Sequence, residues 1–237
     1  MAPADLPFRP ERVLAIGAHP DDVEFGAGGT LGRLSELGAR IAVVVCTDGG
    51  RGGRGLADAA AVRRAEQERA AKVLGIEDVT MLAHPDGALA PDTRLVGELV
   101  RAVRRTRPEL VLAHDPRTWW QPFGRVVHPG HSDHRAAGAA TLDALYPRAA
   151  SPNFYAEQLA EDGLAPWYPR ELWLFDAAEP DLVVDVAASF ERKLEALRAH
   201  ASQEGAAGGL VAAAQAAAAL RGAPGRPGEA FQRLRLL

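Results

Sequence analysis

The 237-residue chain has a single cysteine, Cys46, so no disulfide can form within it and a reducing cytoplasm is its expected home. It lacks any apolar run approaching the roughly 18 residues that a membrane span needs. Its first residues, Met1-Ala2-Pro3-Ala4-Asp5-Leu6-Pro7, have no basic segment followed by an apolar core, so no signal peptide is expected. A basic excess is missing too. Against 31 Asp and Glu there are 27 Lys and Arg, for a formal charge of -4, which argues against a nucleic-acid-binding surface. No internal repeat occurs. The first apolar run, Val13–Gly17, is not followed by the Gly-x-Gly-x-x-Gly turn that a nicotinamide-binding fold wants there. That position holds Ala18-His19-Pro20-Asp21-Asp22 instead.

What is present reads as a globular α/β protein, 47% hydrophobic and 24% charged. Val13–Gly17 and Ile41–Cys46 have the short, wholly apolar character of strands in a parallel sheet. Further strands are expected at Val79–Leu82, Leu110–Ala113, Leu172–Phe175 and Leu182–Val186. Helices are expected from about Ala27 to Leu37, over Asp58–Leu74, Thr93–Thr106 and Phe190–His200, and from near Ser132 as N-cap to about Leu145. The stretch Pro116–Gly130, with Trp119, Trp120 and Phe123, reads as irregular. The alternation predicts a Rossmann-like, mostly parallel sheet with helices on both faces. Residues 1–205 form the expected single α/β domain. Residues 206–237, rich in Ala, Gly and Pro, are set apart as a C-terminal extension.

The chemistry concentrates in two clusters. His19-Pro20-Asp21-Asp22 falls at a strand-to-helix turn, where open α/β sheets place their sites. Pro20 pushes His19 out of the helical region, and His19 and Asp22, three apart, can face one point. About 110 residues on, His131-Ser132-Asp133-His134 has the same offset. His19, Asp22 and His134 would supply three protein ligands and leave a fourth position open, the pattern of a catalytic rather than a structural zinc site. Zinc lowers the pKa of water bound to it toward about 7, and Asp21 is the candidate base for the proton released. His131 is the candidate to stabilise an oxyanion as a protonated imidazole, with Asp133 behind it holding the ring and raising its pKa.

An ordered series of further residues accompanies these clusters: Gly28-Gly29-Thr30, Thr47-Asp48-Gly49, Arg54-Gly55, Arg63, Glu66, Pro85-Asp86-Gly87, His114-Asp115-Pro116, Lys193, His200 and Ser202-Gln203. In this series the chain resembles the PIG-L/LmbE family of zinc-dependent N-deacetylases, which includes the N-acetylglucosaminyl deacetylases of mycothiol, bacillithiol and GPI-anchor biosynthesis. The resemblance implies the same assignments for His19, Asp22 and His134 as ligands, Asp21 as base and His131 as electrostatic stabiliser. It also implies an anion or sugar contact from Arg54, while Asp86, in Pro85-Asp86-Gly87, reads equally as a substrate contact to sugar hydroxyls or as a turn residue. The expected reaction is hydrolysis of the N-acetyl or N-acyl amide of an N-acetylglucosamine-type conjugate, with zinc, or alternatively iron(II), as the metal. The alternative is an amidase for a thiol–sugar conjugate or a natural-product glycoside. The expected partner is a small amino-sugar substrate, with neither nucleic acid nor membrane, and with homo-oligomers open. His114 can be read equally as a structural turn residue or as part of the site.

Overall fold

The computed structural model describes residues 2–53, 55–123, 126–204 and 209–236. Strand and helix alternate from the start. β1 (Arg12–Gly17), β2 (Arg40–Thr47), β3 (Asp78–His84) and β4 (Leu110–His114) are linked by α1 (Asp22–Glu36), α2 (Ala59–Val73) and α3 (Thr93–Thr106). An antiparallel pair follows, β5 (Trp120–Phe123) and β6 (Val126–Pro129), then α4 (Ser132–Asp143) and α5 (Ala156–Ala160). The remainder is β7 (Glu171–Phe175), β8 (Leu182–Asp185), α6 (Phe190–Arg198), α7 (Gly209–Arg221) and β9 (Gly228–Arg235). Seven strands form one sheet in the order β3-β2-β1-β4-β7-β9-β8. The first five are parallel, and β9 runs antiparallel to both its neighbours.

Side chains alternate across the buried strands, as the pleat requires. From β1, Leu14 and Ile16 enter a core with Leu95, Leu99 and Val103 of α3 and Ala137 and Ala140 of α4. Val13 and Ala15 enter the opposite core, with Val23, Ala27 and Leu31 of α1 and Ala70 and Ala71 of α2. Helices therefore cover both faces of a mostly parallel sheet. Asp58 and Asp92 start α2 and α3 by accepting the backbone N–H of Ala61 and Leu95. No helix among the described residues is long and apolar enough to cross a membrane.

Three elements depart from the sequence reading. α1 begins at Asp22, five residues before the expected start, and takes Asp22, Val23, Glu24, Phe25 and Gly26 into the helix. Glycine is needed there for packing: a Cβ on Gly26 would stand 2.5 Å from the ring of Phe175 on β7. The expected irregular stretch before the second histidine cluster contains the β5–β6 pair, whose Trp120 stands opposite Pro129. Residues 206–237, set apart on composition, send β9 back into the sheet between β7 and β8. Glu229 on β9 is buried, accepts N–H bonds from Gly29 and Thr30 of α1 at 2.8 and 2.7 Å, and pairs with Lys193 Nζ at 2.6 Å. This strand is tied both to the sheet and to the helix that carries Asp22.

Candidate metal centre

The chemically active side chains gather at the carboxyl edge of the parallel strands, with His131, Asp133 and His134 brought there by the start of α4. β1 ends at Gly17 and releases His19-Pro20-Asp21-Asp22. β3 ends beside Asp86, and β4 ends on His114. α4 starts just after His131, and it lies close against β4: a Cβ on Gly138 would stand 2.5 Å from the His114 carbonyl.

Local hydrogen bonds lock the first turn. The His19 backbone N–H donates to Asp22 Oδ2 at 2.7 Å, and the Asp22 N–H donates back to the His19 carbonyl at 3.3 Å. Between them Asp21 takes a left-handed conformation, φ 100° and ψ -26°, which costs a residue with a side chain about 1–3 kcal/mol unless its surroundings impose it.

Asp22 is the hub. Its Oδ2 lies 3.4 Å from His19 Nδ1 and 3.0 Å from His114 Nε2, and its Oδ1 lies 3.2 Å from His134 Nε2. The rings of His114 and His134 stack at 4.1 Å, and the His131 ring stands 4.5 Å from that of His19. Potential ligand atoms of His19, His131 and His134 lie within 4.8 Å of one another, as do those of Asp22, His114 and His134. The other nitrogen of His19, Nε2, faces Asp86 Oδ1 at 3.2 Å and Asp133 Oδ2 at 3.3 Å. Asp133 also accepts the N–H groups of Gly87 and Leu89, and Asp86 accepts that of Arg51. These two carboxylates are thus engaged as supports that orient the His19 ring and leave Nδ1 on the Asp22 side.

The electrostatics follow from burial and crowding. Burial lowers the pKa of His19, but the hydrogen bond and charge of Asp22, with Asp86 and Asp133, outweigh it and raise the value to about 9. Burial likewise opposes protonation of His114, and Asp22 and Asp176 overcome it to give about 9. Asp22 is held well below the usual carboxylate range by His134 and His114 despite its burial. Asp21 moves the other way: burial, then the charge of Asp22, push it up to about 7, although Arg63, His200 and His19 pull against the rise. A carboxylate hub ringed by imidazole nitrogens is a donor set that a divalent cation can bind by displacing protons, and its nitrogen and oxygen ligands suit zinc or iron.

The structure brings together His19, Asp21, Asp22, His131, Asp133, His134 and Asp86. It adds His114, which is almost completely buried against Asp22. It corrects Asp133 and His131. His131, not Ser132, is the N-cap of α4, and its Nδ1 accepts the Asp133 backbone N–H at 3.1 Å. The Asp133 carboxylate serves His19 rather than His131. Burial, with His19 and His134 nearby, lowers the His131 pKa instead of raising it. With Nδ1 accepting, a neutral His131 carries its proton on Nε2. Arg54 lies outside the described residues. Trp119 and Trp120 are exposed, and the Arg135 guanidinium covers the Trp119 ring at 4.3 Å.

An open α/β sheet with a histidine–aspartate cluster at its carboxyl edge defines a class of candidate metal-dependent hydrolases. Within that class, the family described as GlcNAc-PI de-N-acetylase (PIG-L) matches residues 14–145, and the chain belongs to it. The diacetylchitobiose deacetylase of Thermococcus kodakarensis is 34% identical over 81% of this chain and 70% of its own. A probable N-acetyl-alpha-D-glucosaminyl L-malate deacetylase 2 of Bacillus anthracis is 32% identical over 81% of this chain and 80% of its own. The structure of N,N'-diacetylchitobiose deacetylase from Pyrococcus horikoshii superposes with a TM-score of 0.83 at 29% identity, covering 95% of this chain and 84% of that one.

Proposed function

We propose that this protein is a zinc-dependent hydrolase that removes the N-acetyl, or another N-acyl, group from an N-acetylglucosamine-type sugar conjugate. One observation supports it most: a largely buried carboxyl, Asp21, held by Arg63 at 2.9 Å, sits next in the chain to a convergent His19–Asp22–His134 donor set. His19 through Nδ1, Asp22 and His134 through Nε2 would hold the metal. When bound, such a metal polarises an amide carbonyl and makes water a competent nucleophile at neutral pH.

The chain's own groups do the rest. Asp21 takes the proton from the attacking water as a C–O bond forms at the amide carbon. The His131 Nε2–H donates to the oxygen that gains negative charge, a role that the neutral ring with its proton on Nε2 can fill. Asp21 then delivers its proton to the nitrogen as the C–N bond breaks, releasing acetate and the free amine. Asp86, together with Arg54, would meet sugar hydroxyls, with Asp86 also steadying His19. A reducing, cytoplasmic compartment belongs to this reading, since the single cysteine, Cys46, can form no disulfide within the chain.

The test is acetate release by zinc-loaded protein from N,N'-diacetylchitobiose and a panel of N-acetylglucosaminides, with and without a chelator. Release abolished by the chelator and restored by zinc is expected. Bound metal without release from any sugar of the panel would move the substrate to a thiol–sugar conjugate or a natural-product glycoside. Absence of metal binding under all conditions would defeat the reading.

A further inference from the structure

α2 buries the wrong kind of face for a structural helix. A helix on a sheet is normally held by an apolar stripe, and the second half of α2 is, through Ala70 and Ala71, yet its first half turns Arg63, Glu66 and Gln67 inward, each at most 4% exposed. Buried ionic groups are poor sources of net stability, so folding alone gives no reason for this stripe. Its partners do. Arg63 Nη2 donates to Asp21 Oδ2 at 2.9 Å and to the Pro20 carbonyl at 2.5 Å. Its Nη1 donates to the Gly49 carbonyl at 3.1 Å and stands 3.9 Å from Asp86 Oδ2. One turn on, Gln67 Oε1 accepts the Asp21 backbone N–H at 3.1 Å, while Gln67 Nε2 donates to Glu24 Oε1 at 2.6 Å. Glu66 accepts the N–H and Oγ–H of Ser202 at 2.8 and 2.6 Å and so pins the turn after α6 to the same face.

We propose that Arg63 and Gln67 are positioning residues for Asp21, Arg63 fixing its carboxylate and Gln67 its backbone in the left-handed conformation. The inference rests on the reading of Asp21 as the base and extends it to the groups that aim it. The two residues, four apart, grip one aspartate from its two ends. Neither free rotation of the side chain nor relaxation of the backbone is then open to it. Arg63 spans the turns after β1 and β2 with one planar fork, which a lysine cannot reproduce at both. Proton transfer depends on where the carboxylate oxygen sits, and a displacement of about 1 Å can cost about 100-fold in rate. Gln67 touches neither the ligand set nor Asp86, so substrate affinity and metal retention should be spared when it is changed, whereas Arg63 also reaches Asp86.

The experiment measures kcat, KM, bound metal and Tm for R63M, R63K, Q67M and D21N on the most active N-acetylglucosaminide of the panel. Expected is a loss of about 100-fold in kcat for R63M and about 10-fold for Q67M. Metal stoichiometry should hold in every variant and KM within twofold of wild type in Q67M, with R63K recovering part of the kcat loss; R63M is free to raise KM as well, through Asp86. If R63M fails to fold or loses metal, R63K and Q67M carry the comparison. Wild-type kcat in R63K and Q67M, with D21N inactive, would overturn this inference and leave the base intact. Wild-type turnover in D21N would overturn the base and this inference with it.

Discussion

At the scale of single residues, Asp21 and Asp22 are neighbours pushed to opposite ends of the carboxylate range. Four donors hold Asp22 as an anion, namely three imidazoles and the His19 N–H, whereas burial leaves Asp21 able to accept and release a proton near neutrality. D21N should keep the metal and lose about 10²–10⁴ of turnover, as expected when a general base is removed. The acid limb of the kcat/KM profile should rise with pH as Asp21 loses its proton. Its apparent pKa should lie at or below about 7, because a bound cation favours the carboxylate. That limb should be absent in D21N, which a pH–rate series settles directly. H134A should bind no metal at stoichiometric zinc, whereas H131A should bind it and turn over slowly; metal analysis of the two proteins separates these roles. These groups were legible in the sequence because their spacing is local: Asp22 stands three positions after His19, and His134 three positions after His131. His114 was only half legible, since its contact with Asp22 spans 92 residues. The true partner of Asp133 was not legible, because His19 lies 114 residues away and nothing in a neighbouring residue announces it.

At the scale of elements, strand and helix order followed from composition because parallel strands buried on both faces must be apolar throughout. α3 has the expected bounds, Thr93–Thr106. α1 was read five residues short, its start placed just after Gly26; the Phe175 ring that Gly26 meets is contributed by a strand some 150 residues later, and that ring demands the missing side chain. G26A tests this. Although alanine is the better helix former, the variant should be destabilised by about 1–3 kcal/mol through overpacking. A denaturant midpoint below wild type is the expected result, and shortening the ring with F175L should recover part of the loss. A more stable G26A would mean that α1 can move off the sheet. Arg104 on α3 is equally opaque in sequence: its buried guanidinium donates to the carbonyls of Arg148, Ala149, Ser151, Phe154 and Tyr155. A basic residue near a helix C-terminus gives no hint that it organises the chain segment after α4.

At the scale of the whole molecule, composition separated residues 206–237 from the rest, and the sheet does not. The ladder pairs β7 with β9 over Glu171–Leu174 and β8 with β9 over Leu182–Asp185, so β8 reaches the other strands through β9. We expect a chain ending at residue 205 to lose its cooperative melting transition and its metal site together, because Glu229 no longer holds the Gly29 and Thr30 amides of the helix that bears Asp22. Calorimetry with metal analysis on the shortened chain is the check; a folded, zinc-binding 1–205 fragment would restore the boundary drawn from composition. The position of β9 also orders events on the ribosome. β7, with Trp173 and Phe175 fully buried in the finished fold, leaves the exit tunnel well before the strand that will lie beside it. Until residues 228–235 have been synthesised, the nascent protein carries an unpaired hydrophobic sheet edge of the kind that recruits other chains. Slow translation after β8 would therefore lengthen the interval of greatest aggregation risk, and the yield of soluble protein should respond to codon choice in that stretch more than to codon choice in the first hundred residues.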